Sequence, residues 1–322
     1  MHPWVIGVDL GGTKIRLGLV SPQDEIVAVR QIATNAHEGI DAVTERIGAQ
    51  VAELEESVPS GCSVAGLGIC SPGPVDHAAG MLIDPPNLQG LHHTPLRQKL
   101  IDRLGIPVVL EHDAKAAGLG DYHFGAGRGA GSMIYVVVGT GVGAALIVDG
   151  AIYRGPHNAA GEIGHTTLDR RGEVCSCGSR GCVETYLSGP WLGRRYERAH
   201  GPAAEGQGAS VPAVAGTPLV GGNDVARLAA EGDPVALQVF AEAGDALGAA
   251  VATMAMMLDV DLYVIGGSVA KAGDLLLEPA RAAVPRYSFH SVSARVRIVP
   301  TALGDDGPIL GCAWLAREAA RP

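Results

Sequence analysis

Three cysteines fall within eight residues, Cys175, Cys177 and Cys182, and His165 lies ten residues before the first of them. Their neighbours Ser176, Gly178, Ser179, Arg180 and Gly181 make poor core material. Three thiolates and one imidazole form a closed tetrahedral Zn²⁺ site with no open position, so such a metal is structural. The alternatives are a reduced cysteine cluster or a disulfide, and Cys175 and Cys177 are too near in sequence for an unstrained bridge. A metal at this point would lock one loop and so fix two nearby carboxylates, Glu162 and Glu184.

A second kind of chemistry is written in the stretch Val8–Val20, VDLGGTKIRLGLV. The turn Gly11-Gly12-Thr13-Lys14 has the small residues that let a backbone wrap a phosphate. Phosphate loops commonly open a helix, but here Ile15, Leu17 and Leu19 alternate with Lys14, Arg16 and Gly18, the period of a strand. A second glycine/threonine turn, Gly139-Thr140-Gly141-Val142-Gly143, follows the strand Met133–Val138. Two such turns can grip one nucleotide from opposite walls of a cleft, with Thr13 and Thr140 adding hydroxyl donors. Asp9, at the strand end before the first turn, has the chemistry to hold Mg²⁺ directly or through water. A plain hairpin turn is the alternative for either stretch alone. Gly266-Gly267 leaves a further strand and either closes over an adenosine or is a simple strand exit.

The elements that must position these residues repeat. Strands are expected at Trp4–Asp9, Lys14–Val20 and Glu25–Gln31, then a helix with Ile40, Val43, Ile47, Val51 and Leu54 at helical spacing. A strand Val64–Cys70, a short helix near Pro95–Leu104, a strand Val108–Glu111 and a helix near Ala114–Tyr122 follow. The pattern restarts with strands Met133–Val138, Ala144–Val148 and Ala151–Tyr153. Val225–Leu258 reads as two helices broken near Gly232-Asp233-Pro234. A strand Leu262–Gly266, a helix Pro279–Pro285, a strand Arg295–Pro300 and a helix Pro308–Glu318 complete the chain. The duplicated meander–helix–strand unit predicts an α/β protein of two domains. The expected boundary is near Gly118: a small lobe of residues 1–117, completed by a C-terminal helix in 305–322, and a large lobe of residues 118–304. Gly201–Gly222 reads as a solvent-exposed or mobile insertion.

The composition narrows the function. A chain of 322 residues with a formal charge of −10 is a poor match for nucleic acid or an anionic membrane. Met1-His2-Pro3-Trp4 does not read as a secretory signal, so a cytoplasmic location is expected. The apolar stretch Ala246–Leu258 reads as a buried helix rather than a membrane span.

Asp113 sits at a strand end, where a carboxylate can serve as a general base or as the N-cap of the helix that begins at Ala114. Together with Asp9-Leu10-Gly11-Gly12-Thr13-Lys14, Pro72-Gly73-Pro74-Val75-Asp76, Pro86-Asn87-Leu88, Glu111-His112-Asp113-Ala114, Gly161-Glu162-Ile163-Gly164-His165 and Cys175–Glu184, it gives the chain a resemblance. Over nearly its whole length the chain resembles the ROK family (repressors, open reading frames and sugar kinases). The resemblance implies two ribonuclease H-like domains of the actin-like ATPase type with the nucleotide and sugar in the cleft between them. It implies a homodimeric, ATP- and Mg²⁺-dependent hexose kinase, glucokinase-like, acting on the 6-hydroxyl. Asp113 then corresponds to the catalytic base. Glu162, His165 and Glu184 correspond to ligands of the sugar hydroxyls, with His165 also on zinc, and Asn87 and Gly73 to the sugar pocket of the first lobe.

The sequence departs from that pattern at His112, beside the base and expected to touch the sugar, and at Lys115; Asn is usual at both. Glucose is the first substrate expected, with N-acetylmannosamine or another hexose or N-acetylhexosamine as the alternative and polyphosphate as a possible second donor. A sugar-responsive repressor is disfavoured, because Asp9 lies too near the start for a DNA-binding segment ahead of it.

Overall fold

The computed structural model describes residues 2–85, 87–200 and 220–321. Most of the expected insertion, and Pro86 of the Pro-Asn-Leu motif, lie outside the described residues.

The chain builds two five-stranded sheets of the same plan. In the first, β1 (Trp4–Leu10), β2 (Lys14–Val20) and β3 (Ile26–Ala33) form an antiparallel meander. Helix α1 (Ile40–Glu55) leads to β4 (Val64–Ser71), parallel to β1. The small ribbon β5 (Val75–Asp76) and β6 (Met81–Leu82) and helix α2 (Leu96–Leu104) lead to β7 (Val108–His112), parallel to β4. Helix α3 (Asp113–Phe124) crosses to the second sheet. There β8 (Met133–Val138), β9 (Val142–Val148) and β10 (Ala151–Tyr153) repeat the meander. Helices α4 (Glu184–Leu187), α5 (Gly189–His200), α6 (Gly222–Ala230) and α7 (Pro234–Leu258) follow. Strand β11 (Leu262–Gly266), helices α8 (Asp274–Tyr287) and α9 (His290–Ser293), strand β12 (Arg297–Pro300) and helix α10 (Gly307–Ala319) end the chain. The orders β3-β2-β1-β4-β7 and β10-β9-β8-β11-β12 are one topology used twice. This is the two-domain α/β architecture that the resemblance implies.

Residue type explains the layout. Val5, Ile6, Val8 and Leu10 of β1 are all fully buried, as a central strand covered on both faces must be. Strand β3, at the edge, alternates partly buried and exposed residues along its whole length. Helix α1 buries Val43, Ile47, Val51 and Leu54 at helical spacing on the first sheet. Asp233 caps α7 by accepting from the Val235 and Ala236 amides at 2.9 and 2.8 Å, with Pro234 in the first turn. Helix α7 is long and apolar enough to cross a membrane, but its apolar window is 67% buried inside the protein, so it is a core helix.

Helices α3 and α10 pack on each other, α10 against β1 and β4 and α3 against β8 and β9. They approach so closely that a Cβ on Gly311 would lie 1.8 Å from the Ala116 carbonyl oxygen, and one on Gly120 2.1 Å from that of Gly307.

Several elements differ from expectation. Strand β9 begins at Val142, because Val142 and Gly143 pair with Val138 and Val137 and carry the ladder into the glycine turn. Helix α8 runs from Asp274 to Tyr287 and contains both prolines that were expected to bound it. Helix α5 was not legible: it opens Gly-Pro and buries only Gly189, Leu192 and Gly193, which leaves no long apolar stripe.

Candidate active site

Both glycine/threonine turns face one cleft. Gly12 and Thr13 of the first turn and Thr140 of the second line a cavity of about 650 Å³ together with Asn87 and His37. The first turn is closed by the Gly11 amide donating to the Lys14 carbonyl at 3.0 Å. It is pressed onto the segment that follows β6: a Cβ on Gly12 would lie 2.6 Å from the Asn87 carbonyl oxygen. The second turn is closed by the Gly139 amide on the Gly141 carbonyl at 2.9 Å.

Deeper in, Asp9, Lys14, Arg16, Asp113 and Gly267 line a smaller cavity of about 190 Å³. Asp9 comes from the end of β1 and Asp113 from the start of α3, so the two parallel strand ends deliver two carboxylates to one place. Burial, helped by the nearby negative charge of Asp113, raises Asp9 to a pKa of about 6. The Cys70 thiol lies 3.7 Å from Asp9 Oδ1 and opposes that shift. Gly267 has φ +96°, and a Cβ there would lie 2.4 Å from the Val138 carbonyl oxygen, so only glycine fits that exit from β11. Gly266 is not in the cavity lining: its Cα abuts the Tyr135 hydroxyl, where a Cβ would lie 1.9 Å away.

Asp113 is the first residue of α3, and its Oδ1 accepts from the Ala114 amide at 2.6 Å. The N-cap proper is His112, not Asp113 as the sequence suggested. Its Nδ1 accepts from Ala114 N at 3.3 Å and lies 3.1 Å from Asp113 Oδ1. The ring edge of His112 covers Gly73, where a Cβ would lie 2.6 Å from Nε2. Gly73, His112 and Asp113 therefore form one wall.

In the second half of the chain, Glu184 lines a cavity with Thr140, while Glu162 lines a separate, largely apolar one with Met254 and Met257. Glu184 Oε2 accepts from the Val142 amide at 3.1 Å, which holds it against the second glycine/threonine turn. Its other oxygen lies 3.8 Å from Cys175 Sγ. Glu184 thus ties the turn to the cysteine loop. The ligand atoms of His165, Cys175, Cys177 and Cys182 all lie within 4.8 Å of one another. The Cys177 and Cys182 sulfurs are 3.7 Å apart, and Cys175 Sγ is 3.7 Å from His165 Nδ1. A tetrahedral site with ~2.3 Å bonds to sulfur has S···S edges of ~3.8 Å, so the cluster fits a zinc-sized ion. Burial pushes Cys182 up to about 12, and against the same burial hydrogen bonds with Ser179 bring Cys177 down to about 7. A bound dication would deprotonate all three thiols.

Sequence reasoning missed the second rank of the site. Glu111 is fully buried; its Oε2 accepts from Arg154 Nε at 2.8 Å and its Oε1 from the His112 amide at 2.9 Å. Gly304 and Asp305 also line the deeper cavity, and Arg16 reaches Asp306 at 3.0 Å. The run Gly304-Asp305-Asp306-Gly307 before the last helix was the available signal for the latter.

The family model described as ROK family matches residues 5–319. A glucokinase of Streptomyces coelicolor is 32% identical over 315 residues, covering 97% of each chain. A glucokinase of Thermotoga maritima is 33% identical over 319 residues, covering 98% of this chain and 97% of its own. The crystal structure of a ROK family glucokinase from Streptomyces griseus in complex with glucose and AMPPNP is 34% identical and superposes with a TM-score of 0.79, covering 98% of this chain and 99% of that one.

Proposed function

The chain belongs to the ROK family, and we propose that it is a glucokinase, moving the γ-phosphoryl group of ATP to the 6-hydroxyl of glucose. The observation that carries this reading is the pair of carboxylates, Asp9 and Asp113, in one cavity with Lys14 and Gly267, beside a cleft walled by both phosphate turns.

Transfer of a phosphoryl group needs positioning and charge stabilisation more than covalent work by the protein. Asp113 accepts the proton of the attacking hydroxyl; its Oδ1 is held by Ala114 N, and that bond sets the direction of the other oxygen. Glu162, Glu184 and the free Nε2 of His165 take sugar hydroxyls from the large lobe, and Asn87, Gly73 and His112 from the small one. Backbone amides of Gly12 and Gly141 and the hydroxyls of Thr13 and Thr140 face the phosphates in a turn that Gly11 closes, Lys14 adds charge, and Gly266-Gly267 passes beneath the adenosine. When bound near Asp9, Mg²⁺ neutralises phosphate charge. The four-ligand cluster suits a structural Zn²⁺ that stiffens the Glu184 loop. The lobes divide as residues 1–117 with 305–322, and 118–304, hinged where α3 and α10 pack. ATP as donor and thiols kept reduced for a metal both fit the cytoplasm, and the net charge of −10 disfavours nucleic acid. A homodimer is supported by the exposed apolar end of α7, where Met257 is 77% exposed.

A panel of hexoses and N-acetylhexosamines, each with ATP and Mg²⁺ and read by ADP formation, tests the reading. Glucose should give the highest kcat/KM. ADP formation that no sugar stimulates, or a strong preference for N-acetylmannosamine, would overturn it.

A further inference from the structure

Among the described residues Lys115 is the only fully buried lysine, at 1% exposure. It lies on α3 two residues beyond Asp113, and its Nζ donates to the Asn158 carbonyl at 2.8 Å. Burial lowers its pKa, and the carboxylates of Glu111 and Glu162 pull the other way. Asn158 has a left-handed backbone, φ +58°. Its Nδ2 donates to the Val75 carbonyl at 2.5 Å, while its Oδ1 is buried with no partner. Asparagine tolerates the left-handed backbone, but an orphaned buried acceptor is unfavourable and persists only where its neighbours impose it.

The neighbours form a strap, Arg154 to Gly161. Its backbone stays with the second sheet, where the Ala144 amide donates to the Gly161 carbonyl at 2.7 Å. Its other bonds reach across to β7, α3 and β5: Arg154 to Glu111, the Asn158 carbonyl to Lys115, the Asn158 side chain to Val75. Glu162 follows the strap at once. On the sugar-kinase reading above, we propose that Lys115 and Asn158 are a positioning pair: the ammonium holds the strap from behind the sugar site, sets where Glu162 meets the sugar, and so governs sugar affinity and the choice among hexoses rather than phosphoryl transfer.

The test uses the full chain. Lys115→Met keeps the length of the side chain and removes the donor. It should raise KM for glucose about tenfold or more, leave kcat within about threefold and KM for ATP unmoved, and change the ranking of glucose against mannose and N-acetylmannosamine. Asn158→Gly keeps the left-handed backbone and the carbonyl that Lys115 binds but removes the bond to Val75. It should shift KM for glucose in the same direction by less, and it serves alone if Lys115→Met fails to fold. An active wild type whose variants lose thermal stability with KM for glucose unchanged would overturn the inference alone. A wild type inactive on every hexose would overturn the kinase reading and this inference with it.

Discussion

At the scale of single residues, two carboxylates in one cavity carry different burdens. Asp113 is part-exposed and bonded by Ala114 N. Asp113→Asn keeps its size, so glucose binding followed by tryptophan fluorescence should survive while kcat falls on the order of a hundredfold or more; a kcat near wild type would take the base role away. Asp9 is held at about 6 in the folded protein against 3.8 for a free carboxyl. Its folded form therefore binds the proton more tightly than the unfolded chain, and ionising it costs stability. That cost is absent near pH 4, grows between pH 4 and 6 and is full above. Asp9→Asn should then stabilise the metal-free protein at pH 7.5 by about 1–3 kcal/mol, with the difference vanishing toward pH 4, while activity is lost. Denaturant titrations at the two pH values read this; equal stability of the two proteins at pH 7.5 would contradict it.

At the scale of elements, the cysteine loop and the paired helices do the positioning. The loop reaches the second glycine/threonine turn through Glu184, which touches both Val142 N and Cys175 Sγ. Cys177→Ser should lower the metal content from about one Zn per chain, lower the melting temperature and raise KM for glucose, since Glu184 loses its anchor. Metal analysis beside a thermal melt decides it, and metal-free wild type of full stability would dispose of the zinc. Helices α3 and α10 touch through glycines. Gly311→Ala places a methyl 1.8 Å from the Ala116 carbonyl oxygen, so the helices must part. A loss of about 1–3 kcal/mol is expected in a chemical melt, and an unchanged midpoint would mean that the two helices slide freely.

At the scale of the whole molecule, two copies of one sheet topology bring two glycine/threonine turns to one cavity, whose lining is drawn from both copies. An apolar feature lies outside that cavity, the end of α7 with Met256, Met257 and Leu258, near a groove between α7 and α8 that Glu242, Asp245 and Arg286 make mixed in character. Sedimentation at micromolar concentration should give about twice the chain mass of 32.9 kDa, and Met257→Glu should shift it toward that of one chain. A monomer at all concentrations would remove the homodimer.

What the sequence by itself determined is local and periodic. Alternation in Val8–Val20, the glycine turns, the Cys-x-Cys spacing and the restart of the strand pattern at Met133 gave the elements, the duplication and the family resemblance, because strand period, turn chemistry and metal-ligand type are properties of neighbouring residues. Helix α5 escaped because its Gly-Pro start and narrow buried stripe resemble a loop. The rest was decided by the tertiary structure. Asp9 and Asp113 are 104 positions apart in the chain, and only the parallel pairing of β1, β4 and β7 brings their strand ends together. Lys115 read as a departure from an asparagine, and only packing made it a buried cation bonded to Asn158. A residue's pKa and partner depend on what the fold places beside it, and that neighbour is set by sheet order and lobe contact rather than by spacing along the chain.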